Sequence, residues 1–437
     1  MISKKALLPL CLALCSPVAA SAQTGTQTPS STRPRVVASP APARPANQTP
    51  LRVSAAPSPT PVVVAPVIPS APTLTNSPAL PAGTITVTPM LAAPVVLQPI
   101  EPMSLDKIRA RRQEAQRSLR SRVVQTALNP SHEWVTLAVV EPESSRVHTL
   151  TLPKTTFLKK DNELTLSSSL GTPLRLRILR PNYVNTAVVV SDLTGRQFYP
   201  MLLEYPIEKR GVFREMAYYT SAHPSLLSPE LVRTGQAYVR TMLDLAAKRL
   251  KDKGIAVSPQ LIDVAERLCL VEHVDHQRFR TENRRAVYEE VFALYALNEL
   301  DTYKYSVSTA GAGGMVQMIP WTYQMIRRHY PAIGLNPDFV LGMRNHGNAL
   351  EAMLLYMNMT WTDLASNPEV QAAMSAGWAT QPDLMAAGYN SNPARLPLYI
   401  RRGGAAWRTL IPRETQMYLQ IYQSVESLVP MKARESD

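Results

Sequence analysis

Glu299-Leu300-Asp301-Thr302-Tyr303-Lys304-Tyr305-Ser306-Val307-Ser308-Thr309-Ala310-Gly311-Ala312-Gly313-Gly314-Met315-Val316-Gln317-Met318-Ile319-Pro320-Trp321-Thr322 reads as a helix end, a polar loop, a glycine-rich turn and the start of a new helix. Just upstream, Tyr288, Phe292, Tyr295 and Glu299 recur at helical spacing, so a helix from about Arg284 to Glu299 carries an apolar stripe that ends on a carboxylate. An earlier helix does the same with Leu261, Ala265, Leu268 and Glu272. Ser228-Pro229-Glu230 and Ser258-Pro259-Gln260 each set a capping hydroxyl before a first-turn proline, and the chain is expected to be helical from Ser228 onward. A carboxylate closing an apolar stripe is either paired and structural, or desolvated so that it keeps a transferable proton near neutral pH.

The pattern changes on moving toward the N-terminus. From Glu133 to Tyr205 the chain alternates and is rich in β-branched residues, as in Trp134-Val135-Thr136-Leu137 and Ala187-Val188-Val189-Val190, with turn signals such as Asp161-Asn162 and Thr194-Gly195 between the runs. A small, mostly antiparallel β-module is expected there. From Ser104 to about Leu128, Leu105, Ile108 and Leu119 are sparse among many arginines, which predicts a solvated basic helix. Residues 23–102 are dominated by Pro, Ala, Thr, Ser and Val and cannot build a packed core, so they read as a disordered tether. Lys4 and Lys5, the apolar run Ala6 to Leu14 and the triplet Ala20-Ser21-Ala22 make a secretory signal peptide. The expected boundaries are 1–22 for the signal, 23–102 for the linker, 103–130 for the basic helix, 131–226 for the β-module and 227–430 for the helical domain.

Of three cysteines, Cys11 and Cys15 fall within the signal, leaving Cys269 and excluding an intramolecular disulfide in the mature chain. No later stretch has the ~18 unbroken apolar residues of a membrane span, so no transmembrane segment is expected. The net charge of +13 suits a polyanion, and for an exported chain the cell wall or a membrane surface is favoured over nucleic acid.

The segment from Glu299 resembles the signature of the SLT-type lytic transglycosylases, in which a catalytic Glu ends a helix, a serine follows nine residues on, and Gly-Ala-x-Gly-hydrophobic-x-Gln-x-x-Pro-x-Thr comes next. Ser308, Gly311, Ala312, Gly314, Gln317, Pro320 and Thr322 hold that register. A later family block, Ala-Tyr-Asn-x-Gly-Pro, is similar to Ala387-Gly388-Tyr389-Asn390-Ser391-Asn392-Pro393. The resemblance covers about residues 258–426, with Asn348 to Tyr356 similar to the helix that packs behind the site. Leu300 stands where the family has Ser, and Gly388 where it has Ala.

The expected fold is α+β multi-domain: the small antiparallel β-module and the disordered Pro-rich tether precede an all-α catalytic domain, which the resemblance implies is lysozyme-like. The resemblance also implies an exported, periplasmic lytic transglycosylase that cleaves the β-1,4 bond between N-acetylmuramic acid and N-acetylglucosamine in peptidoglycan and leaves a 1,6-anhydro product. Glu299 would be the acid and base, with Ser308, Gly311, Ala312, Gly314, Met315, Gln317, Tyr389 and Asn390 bordering the substrate. Met315 also reads as core. Glu272 competes with Glu299 and is a candidate second carboxylate, although its distance to Gly311 is too long for the motif. Two other readings stand beside this one: a hydrolytic muramidase, and a non-catalytic wall-binding or scaffold protein of an envelope-spanning machine whose β-module docks a protein partner. His273, Asp275 and His276 do not make a metal set, and neither metal nor organic cofactor is expected.

Overall fold

The computed structural model describes residues 96–121 and 133–435, all within one compact unit. The expected signal peptide and almost all of the expected linker lie outside the described residues.

Seven strands come first after an N-terminal helix: α1 (Leu105–Ser121), then β1 (Trp134–Val140), β2 (Val147–Pro153), the short α2 (Lys154–Phe157), β3 (Glu163–Ser167), β4 (Pro173–Arg180), β5 (Ala187–Ser191), β6 (Gln197–Lys209) and β7 (Val212–Tyr219). The strands pair antiparallel in the order β2-β1-β6-β5-β4-β3, with β7 also on β6, and curl into a nearly closed barrel-like sheet. One face of the sheet packs Leu137, Leu150, Leu176, Val190 and Phe198 into the barrel interior.

The thirteen-residue β6 explains what happens outside the barrel. Phe198, Leu203 and Tyr205 point inward, while Tyr199, Met201 and Leu202 are buried on the other side. A strand that is apolar on both faces needs two partners. The second partner is helical. Leu105, Ile108, Ala115 and Leu119 of α1 join Tyr199, Met201 and Leu202 in a core that also contains Ala293, Ala296 and Leu297.

The helical region runs α3 (Pro229–Asp252), α4 (Pro259–Val271), α5 (His276–Thr281), α6 (Arg284–Asn298), α7 (Pro320–His329), α8 (Phe339–Arg344), α9 (His346–Ala365), α10 (Pro368–Ser375), α11 (Gln381–Asn390), α12 (Leu396–Gly403) and α13 (Arg413–Leu428). The Ser228 and Ser258 hydroxyls accept from the backbone N–H of Leu231 and Leu261, closing the first turns of α3 and α4 as the Ser-Pro pairs predict. α3 and α6 touch backbone to backbone. A Cβ at Gly235 would stand 1.8 Å from the Phe292 carbonyl oxygen.

Two expectations are corrected here. The fold is not an α+β multi-domain arrangement of a lysozyme-like domain behind a small β-module. With about 54% helix and 17% strand, the chain is predominantly helical, and its strands form a nearly closed barrel-like sheet over 134–219 that shares a core with α1 and α6. Likewise, α1 is not a solvated helix. Its few apolar residues fall on one face, and the arginines around them cover rather than prevent its docking.

Candidate functional site

The glycine-rich loop is held by its own backbone. Gly313 bridges both Val307 and Met318, the Ser308 hydroxyl accepts from the Ala312 N–H at 3.0 Å, and Gly311 donates to the Ser308 carbonyl. Gly314 has φ +70°, and a Cβ there would stand 2.3 Å from the Met343 carbonyl oxygen, so both conformation and space require glycine. Gln317 adopts φ 44° and turns its amide inward, donating to the Gly314 carbonyl at 2.8 Å and the Ser306 hydroxyl at 3.1 Å. Met315 is fully buried and Ala312 nearly so.

Two aromatic side chains pin successive carbonyls of this loop. The Tyr389 hydroxyl, at the end of α11, donates to the Val316 carbonyl at 2.7 Å. His273, just past α4, meets the Met315 carbonyl through Nε2 at 2.9 Å and stacks on Tyr303 with ring centroids 3.3 Å apart. Burial pushes His273 down to about 3. The ring is therefore neutral, and its proton sits on Nε2, where the carbonyl demands a donor.

Glu272 precedes His273 and closes the apolar stripe of α4. Its carboxylate accepts the Tyr418 hydroxyl of α13 at 2.6 Å. Burial pushes Glu272 up to about 8, with the Tyr418 hydrogen bond pulling down and the charge of Glu414 pushing further up. Burial and the nearby Glu272 together lift the Tyr389 hydroxyl well above its ordinary range. Part of the Glu272 residue is exposed, while its carboxyl is enclosed against Tyr418. A carboxyl that holds its proton at neutral pH can act as a general acid once substrate meets it.

Glu299 has a different setting. It ends α6 with φ 49°, its side chain is 50% exposed, and it pairs with Arg109 of α1 at 2.8 Å. The cavity it lines lies between α1, β7 and the segment Ala296–Tyr305, and neither Gln317, Tyr389 nor Asn390 borders it. No family model, curated protein or solved structure matches the chain. The arrangement of side chains therefore carries the functional argument.

Residues 276–305 separate Glu272 from the loop in sequence but not in space. α6 runs through the helical core beside α3, with the Tyr295 hydroxyl donating to the Cys269 carbonyl of α4 at 3.0 Å, and Ala293, Ala296 and Leu297 near its end also meet α1 and the sheet. Asn298 closes α6, exchanging hydrogen bonds with the Thr220 N–H and carbonyl beyond β7. His346 holds the following segment, through Nε2 to the Thr302 carbonyl at 2.8 Å. The loop then arrives against His273, beside Glu272. Thus Glu272, Tyr389 and the loop 306–318 come together, Asn390 ends the same helix as Tyr389, and Glu299 lines the cavity beside α1.

Tyr418 escaped the sequence reading because its contact with Glu272 spans 146 residues and no local pattern announces it. Gly388, where the family has alanine, has a local reason: a Cβ there would meet Pro393 Cβ at 3.0 Å. Among the described residues no helix is long and apolar enough to cross a membrane, and no three His, Cys, Asp or Glu side chains are grouped to hold a metal ion.

Proposed function

We propose that this chain is an exported enzyme that cleaves the glycan strands of peptidoglycan by lytic transglycosylation, and that its acid and base is Glu272 rather than Glu299. The observation that carries the reading is the carboxyl of Glu272: pushed up to about 8, hydrogen-bonded by Tyr418, and set beside the loop whose sequence resembles the family signature. The helices α5 and α6 lie within the thirty residues 276–305 that lengthen the spacing from Glu272 to the loop.

In this reaction Glu272 gives its proton to the glycosidic oxygen as the bond from that oxygen to C1 of N-acetylmuramic acid breaks. The resulting carboxylate is stabilised by the Tyr418 hydroxyl. It then takes the proton of the sugar's own C6 hydroxyl as that oxygen bonds to C1, which closes the 1,6-anhydro ring and restores the acid. One carboxylate serves both steps because the nucleophile belongs to the substrate. A hydrolytic muramidase typically works with a second carboxylate across the cleft, and Glu299 faces another cavity. The loop 306–318, Tyr389 and Asn390 would border the sugar path. The net charge of +13 suits the carboxylate-bearing wall, in keeping with action in the periplasm.

Mass spectrometry of muropeptides released from purified wall tests the proposal. Wild type and Glu299→Gln should release anhydro ends and Glu272→Gln none. Activity lost in Glu299→Gln but kept in Glu272→Gln would return the acid to Glu299. Reducing ends would make the protein a hydrolase, and no release by wild type would leave a wall-binding or scaffold role.

A further inference from the structure

The cavity that holds Glu299 has a chemistry of its own. It measures about 410 Å³ and sits where α1 crosses β7 and the end of α6. That volume is in the range of small-ligand sites. Its three carboxylates already face cations: Glu299 pairs with Arg109 at 2.8 Å, Asp301 with Lys304 at 3.2 Å, and Glu215 with Arg344 at 2.6 Å.

Two arginines on the α1 wall are left over. Arg112 makes one long hydrogen bond, 3.5 Å to the Asn298 side-chain oxygen, and its guanidinium is sufficiently desolvated that burial lowers its basicity despite Asp301 and Glu299 nearby. Arg120 lies over the Tyr218 ring at 5.0 Å and bonds the Tyr218 hydroxyl, which donates to Glu204, so part of the Arg120 fork remains for a ligand. Among the described residues neither has a carboxylate within ion-pairing distance. Guanidinium groups with open donor positions at a cavity wall are suited to carboxylate ligands.

Geometry narrows the ligand further. Arg112 and Arg120 are eight residues apart on one helix, which separates them by roughly 12 Å along the axis. The first and last Cα of an extended three-residue peptide are about 7 Å apart, and the reach of its acidic side chains toward the two guanidinium groups covers the remainder. Gln113 and Gln116 lie on the same wall and offer amide groups that match a peptide backbone. The paired carboxylates of Glu215, Glu299 and Asp301, which also line the cavity, can still accept from the N–H groups of a peptide, donors that a phosphodiester backbone lacks.

We infer that this cavity binds a short acidic peptide, its carboxylates on Arg112 and Arg120 and its backbone along the glutamines of α1. The site is separate from Glu272, and the inference does not depend on glycan cleavage.

Calorimetric titration of the full chain with triglutamate, triglutamine and inorganic phosphate tests it. Triglutamate should bind saturably at one site, with triglutamine and phosphate at least tenfold weaker. Arg112→Gln and Arg120→Gln should each weaken triglutamate about tenfold, and Arg112→Lys should lose less than Arg112→Gln. Arg120 is exposed, so Arg120→Gln keeps the test decisive if substitution at Arg112 unfolds the protein. Absence of saturable triglutamate binding, phosphate binding as tightly as the peptide, or unchanged affinity in Arg120→Gln would each overturn the inference. Since binding is read directly, an inert protein in the wall-cleavage assay leaves the result unaffected.

Discussion

Replacing Glu272 with glutamine should have opposite effects on activity and on stability, and the size of the second follows from the burial of the carboxyl. The group moves from an ordinary 4.5 to about 8 on folding. Between those values the folded chain keeps the proton while the unfolded chain releases it. The stability associated with the protonated carboxyl is fully present below pH 4.5 and is lost as pH rises to about 8. At ~1.4 kcal/mol per tenfold change in binding, the ceiling on that loss is about 5 kcal/mol. Partial exposure of Glu272 lowers the expected value to about 2–3 kcal/mol. Glutamine has no proton to lose, so urea unfolding at pH 5 and pH 8.5 should show wild type weakening by that amount relative to Glu272→Gln. Over the same range wall cleavage by Glu272→Gln should be ~10²- to 10⁴-fold below wild type. If the stability difference between the two proteins is the same at both pH values within about 0.5 kcal/mol, the carboxyl is not desolvated and the acid assigned here is wrong.

Further expectations follow from the same contacts. Tyr418→Phe removes the hydrogen bond that pulls Glu272 down, so the alkaline limb of the activity profile should move to higher pH, with turnover about tenfold lower because the carboxylate loses a charge-assisted partner; a profile that stays in place separates Tyr418 from the acid. Burial holds His273 near 3, so wild-type cleavage should show no inflection around pH 6.5, and one there would mean that a histidine titrates in the cycle. Gly314→Ala should destabilise the chain by about 2 kcal/mol or more in chemical unfolding, because a Cβ meets the Met343 carbonyl at 2.3 Å on a φ of +70°. Arg109→Ala should cost less than about 1 kcal/mol, as both members of its pair with Glu299 are half exposed.

Much of the local structure is legible in the sequence. The Ser-Pro caps of α3 and α4, the strand runs around Trp134 and Ala187, and the glycine turn at Gly311–Gly314 each rest on neighbours a few residues apart. What resists reading is how these pieces share cores. Tyr199-Pro200-Met201-Leu202-Leu203 is a continuous apolar run, and periodicity alone does not say that one side fills a barrel while the other receives α1. The same holds for α1, whose four buried residues are few enough among arginines to suggest a free helix. Their burial depends on a complementary surface supplied by β6 and α6, almost a hundred or more residues away.

The two carboxylates show the limit most sharply. Glu272 and Glu299 both end apolar helical stripes, and spacing to Gly311 favours Glu299. Spacing, however, measures contour length along the chain, and the intervening helices α5 and α6 add contour length without setting Glu272 far from the loop. What distinguishes the two acids is the partner each meets in space. Glu299 meets the guanidinium of Arg109 on the wall of the cavity beside α1, with half of its side chain exposed. Glu272 meets a tyrosine hydroxyl in a desolvated corner closed by α11, α13 and the pinned loop, where holding the proton is favoured until about pH 8. A group that must deliver a proton at neutral pH requires the second environment, and the bonds of His273 and Tyr389 to the Met315 and Val316 carbonyls hold the loop beside it.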